Sequence, residues 1–194
     1  MLEPAAGPLG APVAGSGHSG VAVDDAARAA LPRAVLRTLA LRDFRNFGRA
    51  DLDIPAEGLA VVGENGHGKS NLLEAVYYLH LLRSVRGARD ADLVRFGAPA
   101  FHLQAEVAVP PPRTGASAGV HEVGVGFERG SKRKRVRLDG AEVPRLTDAL
   151  GALPSVIFSP GDVTLVAGSP AERRRYLDVA LALTSRRYLA ALQA

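Results

Sequence analysis

The sequence contains no cysteine, which excludes a disulfide scaffold and any thiolate-based metal or redox site. No run approaches the ~18–20 uncharged apolar residues of a membrane-spanning helix, so no membrane partner is expected. Lysine is scarce: Lys69, Lys132 and Lys134 stand alone among 24 basic residues, and the rest are arginine. The arginine and alanine excess reads as the bias of a GC-rich genome, so the placement of each arginine carries more information than the number. Aromatic residues make up only 5 %. What remains is ordinary for a globular chain: 194 residues, 47 % hydrophobic and 23 % charged, are enough for one domain with a buried core. A soluble protein of the reducing cytoplasm is the expectation.

The charge is uneven. Residues 1–32 hold Glu3, Asp24, Asp25 and Arg28, leaving the remainder with 23 basic against 17 acidic residues. The same 32 residues contain five glycines and four prolines and show no sustained apolar period, which is the composition of a disordered extension. Pro4, Pro8 and Pro12 interrupt every stretch that could serve as the apolar core of a secretion signal.

From Val35 onward the pattern is that of a folded domain. Leu39 and Leu41, then Ala50, Leu52 and Ile54, alternate with polar neighbours and predict two half-buried strands joined at Phe44–Gly48. Leu59-Ala60-Val61-Val62 is fully apolar and predicts a strand buried on both faces. Leu72, Leu73, Val76, Leu79 and Leu82 then recur at helical spacing. Phe101 to Val109, Val123 to Phe127, and Val136 with Leu138 alternate again, and Asp139-Gly140 is a hairpin pair, so an antiparallel sheet is expected. Pro154 to Phe158 is a further candidate for a buried strand. Ser169, Pro170 and Glu172 form a helix start of capping-box type, with a helix to about Leu183 and another from near Arg186. That last helix meets Ala194 with no capping residue, which reads as a helix cut in mid-course.

Between the apolar run and the helix lie Gly63, Glu64, Asn65, Gly66, His67, Gly68, Lys69 and Ser70, matching G-x-x-x-x-G-K-[ST]. Glycines let the backbone close into a nest of N–H groups, and the helix N-terminus beyond them favours an anion. In this motif the lysine reaches the β- and γ-phosphates, and the Ser70 hydroxyl can ligate Mg²⁺. At this chain's own residue frequencies a chance match arises on the order of 0.3 % of the time, so ATP or another nucleoside triphosphate is the expected ligand. His67 reads as a solvent-facing spacer. His80, His102 and His121 lack metal-ligand spacing and read as structural or surface residues.

A hydrolase of this class also needs a carboxylate at the end of an apolar strand. After Ser70 no run of four apolar residues ends in Asp or Glu: Val156-Ile157-Phe158 leads into Ser159-Pro160. There is no L-S-G-G-Q-like stretch and no guanine-reading N-K-x-D. A catalytically inactive piece of a larger ATPase is therefore expected. A small-molecule kinase, a GTPase and a non-catalytic interaction module are the alternatives.

Leu41-Arg42-Asp43-Phe44-Arg45-Asn46-Phe47, the stretch Gly63 to Leu82, Phe158-Ser159-Pro160-Gly161-Asp162, and Gly168 to Asp178 together resemble the RecF family of bacterial DNA replication and repair proteins, relatives of SMC and ABC-type ATPases. The resemblance covers residues 33–194. It implies an α/β P-loop NTPase of ABC/SMC type with an antiparallel β subdomain, divided into a disordered extension (1–32), an ATP-binding lobe (33–168) and the start of a helical arm (169–194). It implies ATP and Mg²⁺ at residues 63–70, with Arg45 and Asn46 beside the nucleotide. Gly161 replaces the glutamate expected in its stretch, which removes support for a catalytic role there. The implied activity is ATP-dependent dimerisation on single-stranded and gapped double-stranded DNA. A RecR-like mediator, RecA loading and the SOS response belong to the same implication.

Two basic clusters are candidates for contact with such a partner. Ser131 to Arg137 is the densest, on an expected strand, where it reads equally as a phosphate track or as a charged edge that resists aggregation. Arg83, Arg86 and Arg89 follow the first helix, and Arg173-Arg174-Arg175 spread over several sides of a later one.

Overall fold

The computed structural model describes residues 34–109, 119–159 and 162–192. The expectation of a disordered extension over residues 1–32 lies outside the described residues. So do Gly161 and the final residue of the chain.

Six strands form one antiparallel sheet: β1 (Val35–Phe44), β2 (Phe47–Asp53), β3 (Ala100–Val109), β4 (Gly119–Glu128), β5 (Arg133–Leu138) and β6 (Ala141–Glu142). Their order is β2-β1-β3-β4-β5-β6. The alternation seen in the sequence is the reason. Along β3, Phe101, Leu103, Ala105 and Val107 are buried while His102, Gln104 and Glu106 face outward. A period of two permits one register per strand, because a slip of one residue would turn the apolar row to solvent. The β5–β6 hairpin turns at Asp139 (φ 51°) and Gly140 (φ 82°), the two left-handed positions such a turn requires.

Helix α1 (Lys69–Leu81) lies on the buried face, contacting β1, β3 and β4. Its Tyr78 packs edge-on against Phe101 at 5.5 Å and Phe44 at 6.3 Å, and Phe44 meets Phe101 at 5.3 Å. Such pairs contribute roughly 0.5–1.5 kcal/mol each beyond their area burial. The helix closes on Leu82, whose left-handed φ of 54° lets its N–H reach Tyr78 O at 2.7 Å. The short α2 (Asp90–Leu93) follows.

Beyond β6 come a 3₁₀ turn (Leu146–Ala149), α3 (Val163–Ala167), α4 (Pro170–Thr184) and α5 (Arg186–Leu192). The start of α4 is the one expected, with Glu172 accepting the Ser169 backbone N–H at 2.8 Å. No residue of α4 is buried.

Two expected strands are absent. Residues 59–62 and 154–158 are irregular, with Val62 89 %, Val156 99 % and Phe158 92 % exposed. An apolar strand of this kind is stable only between two paired neighbours and under two covering layers. The sheet offers it neither.

Candidate functional site

The loop from Gly63 to Ser70 enters α1 through three glycines at positive φ: Gly63 (150°), Gly66 (87°) and Gly68 (95°). A Cβ on Gly63 or Gly66 would meet nothing within 4 Å, so both positions face open space. Lys69 Nζ donates to Gly63 O at 2.7 Å and Glu64 O at 2.8 Å. The ammonium is thereby held across the loop, with one of its three donors left over. Gly68 O takes the amides of Asn71 (2.8 Å) and Leu72 (3.0 Å), while those of Lys69 and Ser70 precede any carbonyl the helix can offer. Free amides, a lysine and a helix N-terminus at one exposed loop suit a phosphate chain. The exposed Ser70 hydroxyl is available to a cation held by it. His67 is an exposed spacer, its Nε2 3.6 Å from Glu64 Oε2.

The β1–β2 turn closes over this loop. Asn46 donates to His67 O at 3.4 Å and accepts from Asn71 Nδ2 at 2.9 Å. Its amide lies so close that a Cβ on Gly68 would come within 2.6 Å. Arg45 turns away from the loop to Glu74 of α1, Nε to Oε2 and Nη2 to Oε1, each at 3.0 Å. Ser84 Oγ donates to the same carboxylate at 2.5 Å, and Arg86 lies 3.9 Å away. Burial alone would raise the Glu74 carboxyl. The hydrogen bonds from Arg45 and Ser84, with the charges of Arg45 and Arg86, outweigh it and hold the group below its ordinary range.

No local sequence pattern marks the Arg45–Glu74 fork, since it joins positions 29 apart. Asn46 is thus brought to the loop and Arg45 is not. Arg86 joins the Glu74 cluster and donates to Asn71 Oδ1 at 3.2 Å, while Arg89 pairs with Asp92.

The basic run divides by face. Lys134 points to the helix side, donating to Leu82 O at 2.7 Å and pairing with Asp90 at 2.8 Å over the Tyr78 ring. Arg133, Arg135 and Arg137 point outward. Among the described residues no group of histidines and carboxylates could hold a metal, and no helix is long and apolar enough to cross a membrane.

Sheet, loop and helix together define a P-loop NTPase fold of the ABC/SMC type. The chain belongs to the RecF/RecN/SMC N terminal domain family, whose model matches residues 35–167. It is 37 % identical over 151 residues to the DNA replication and repair protein RecF of Chlamydia trachomatis serovar L2, covering 78 % of this chain and 39 % of that protein. To the RecF of a Nocardioides species it is 43 % identical over 145 residues, covering 75 % and 33 %. Among solved structures, the recombination mediator protein RecF-ATP of the RecFOR pathway matches with a TM-score of 0.72 at 26 % identity, covering 82 % of this chain and 41 % of that one. The chain thus spans between a third and two fifths of the length of these relatives.

Proposed function

We propose that this chain is the ATP-binding lobe of a RecF-type DNA repair and replication ATPase of the cytoplasm. Residues 33–168 form the lobe and 169–194 begin a helical arm. Gly63 to Lys69 hold the triphosphate and Ser70 the accompanying Mg²⁺. The observation that carries this reading is the position of Lys69, held across a glycine loop by two carbonyls at the head of α1. The names of its relatives support the repair assignment, and the ATP in the name of a structural neighbour supports the ligand.

In this reading nucleotide binding favours a homodimer that closes on single-stranded or gapped DNA, and loss of the γ-phosphate releases it. A RecR-like mediator, RecA loading and the SOS response are the cellular setting. Since no run of four apolar residues after Ser70 ends in a carboxylate, the chain alone binds nucleotide without turning it over.

Titration of the chain with a fluorescent ATP analogue tests this. Saturable binding is expected, at least tenfold weaker in Lys69→Ala, with Ser70→Ala losing chiefly the dependence on Mg²⁺. Equal binding by wild type and Lys69→Ala overturns the site. Multiple turnover abolished by Lys69→Ala overturns the claim that the chain is inactive alone.

A further inference from the structure

The sheet face opposite α1 forms an open trough of about 650 Å³. The strand registers show how its charges are arranged. Arg49, Arg42, His102, Gly126 and Arg135 stand opposite one another across five successive strands. At ~4.8 Å per strand this row is about 19 Å long. The next outward row is Asp51, Ala40, Gln104, Gly124, Arg137 and Glu142, with a carboxylate at each end and Arg137 beside the second. The row after that is Asp53, Thr38, Glu106 and Glu122, and is acidic. The face is therefore basic at the end that carries the β1–β2 turn and acidic towards the other.

We propose that the basic half of this face binds the phosphate backbone of nucleic acid, with Arg135 and Arg137 as its principal contacts. The proposal rests on the DNA-binding reading above and gives it a location. Gly124 leaves the floor of the trough as bare backbone between Arg137 on β5 and Gln104 on β3, while the His102 ring lies over Gly126, so a polymer strand can lie close to the sheet at Gly124. Arginines at alternate positions of one strand stand ~6.7 Å apart, near the spacing of successive phosphates on an extended chain. Guanidinium groups match phosphate oxygens in pairs. Among the described residues no Phe, Tyr or Trp faces outward in these rows and His102 is the one ring there, so the surface fits backbone rather than a run of stacked bases.

Carboxylates offset part of the charge. Asp51 bridges Arg42 and Arg49, and Arg133 lies opposite Glu128 and 3.8 Å from Glu142. Among the described residues neither Arg135 nor Arg137 has a carboxylate within 4 Å, which is why the two carry the assignment.

The test is the fluorescence anisotropy of a labelled gapped duplex, titrated with the full chain at several salt concentrations. The double variant Arg135→Ala/Arg137→Ala is expected to bind at least tenfold more weakly and to flatten the plot of log K against log salt by about 2. Arg135→Lys/Arg137→Lys keeps the charge and stays within a few-fold of wild type. Gly124→Val is a purely steric probe, since a Cβ there meets nothing closer than 3.9 Å, and it weakens binding with the salt slope unchanged. Melting curves establish that each variant is folded. A wild-type chain that ignores the duplex removes the DNA-binding reading and this surface with it. A wild-type chain that binds, with the alanine pair binding equally, removes only the surface. Poly-glutamate displacing the duplex at matched charge overturns nucleic acid as the ligand.

Discussion

The Arg45 guanidinium forks onto the Glu74 carboxylate at 3.0 Å on both arms, tying the β1–β2 turn to the middle of the P-loop helix. Glu74 is fully buried and Arg45 mostly so. Arg45 itself has a left-handed φ of 56°, a conformation that costs a non-glycine residue on the order of 1–2 kcal/mol and that the ion pair helps to hold. The pair fixes the turn, and the next residue, Asn46, is thereby laid over Gly68.

Removal of one partner leaves the other charge stranded, so Glu74→Ala is expected to cost ~3–5 kcal/mol in urea unfolding. The pair also sets an acid limit. Glu74 titrates lower in the folded chain than in the unfolded one, where its carboxyl sits near 4.5. Its contribution is fully present above that pH and is lost as pH falls through the folded value. Glu74→Gln, measured at several pH values, should flatten the acid arm of the stability curve. An unchanged acid arm would show that other carboxylates govern it.

Gly68 meets two demands at once. Its φ of 95° disfavours any side chain, and a Cβ would strike the Asn46 amide at 2.6 Å. Gly68→Ala should weaken ATP-analogue binding at least tenfold, equivalent to ~1.4 kcal/mol. Asn46→Ala in the same chain removes the clash but not the backbone strain, so the double variant should recover only part of the loss. Full recovery would mean that the backbone conformation of Gly68 contributes nothing.

Lys134 and Arg135 are neighbours in sequence with opposite duties. Lys134 ties β5 to Leu82 O and Asp90, and Asp90 also accepts the Tyr78 hydroxyl at 2.6 Å. Burial first, then that bond and the Asp90 charge, push the Tyr78 hydroxyl far above its ordinary range, so it stays protonated. Lys134→Met should therefore cost about 1.5–3 kcal/mol of stability while leaving the DNA affinity of the folded chain unchanged. Arg135→Ala should do the reverse.

Much of this was legible in the sequence because it is written in short-range periods. Alternation from Leu39 to Leu138 specifies a sheet with one wet face, and the glycines before Lys69 specify a phosphate loop. The same alternation could have separated Lys134 from Arg133, Arg135 and Arg137, since the period of two puts it on the side of Val136. The fork between Arg45 and Glu74 leaves no such trace, because it depends on how two distant elements pack. Leu59 to Val62 misled for a related reason. Its composition describes the surroundings it suits, and those surroundings consist of neighbouring strands that are absent among the described residues.

Val62, Val156 and Phe158 are apolar and almost wholly exposed, in two segments without regular structure. Side chains already in water lose nothing on becoming polar, so the triple variant Val62→Thr/Val156→Thr/Phe158→Ser should change stability by less than ~0.5 kcal/mol. Exposed apolar segments of this kind drive association. The triple variant should accordingly bind less of a hydrophobic dye and remain monomeric at protein concentrations where the parent chain self-associates, as light scattering would show. A large drop in melting temperature would instead mean that these segments pack inside the chain.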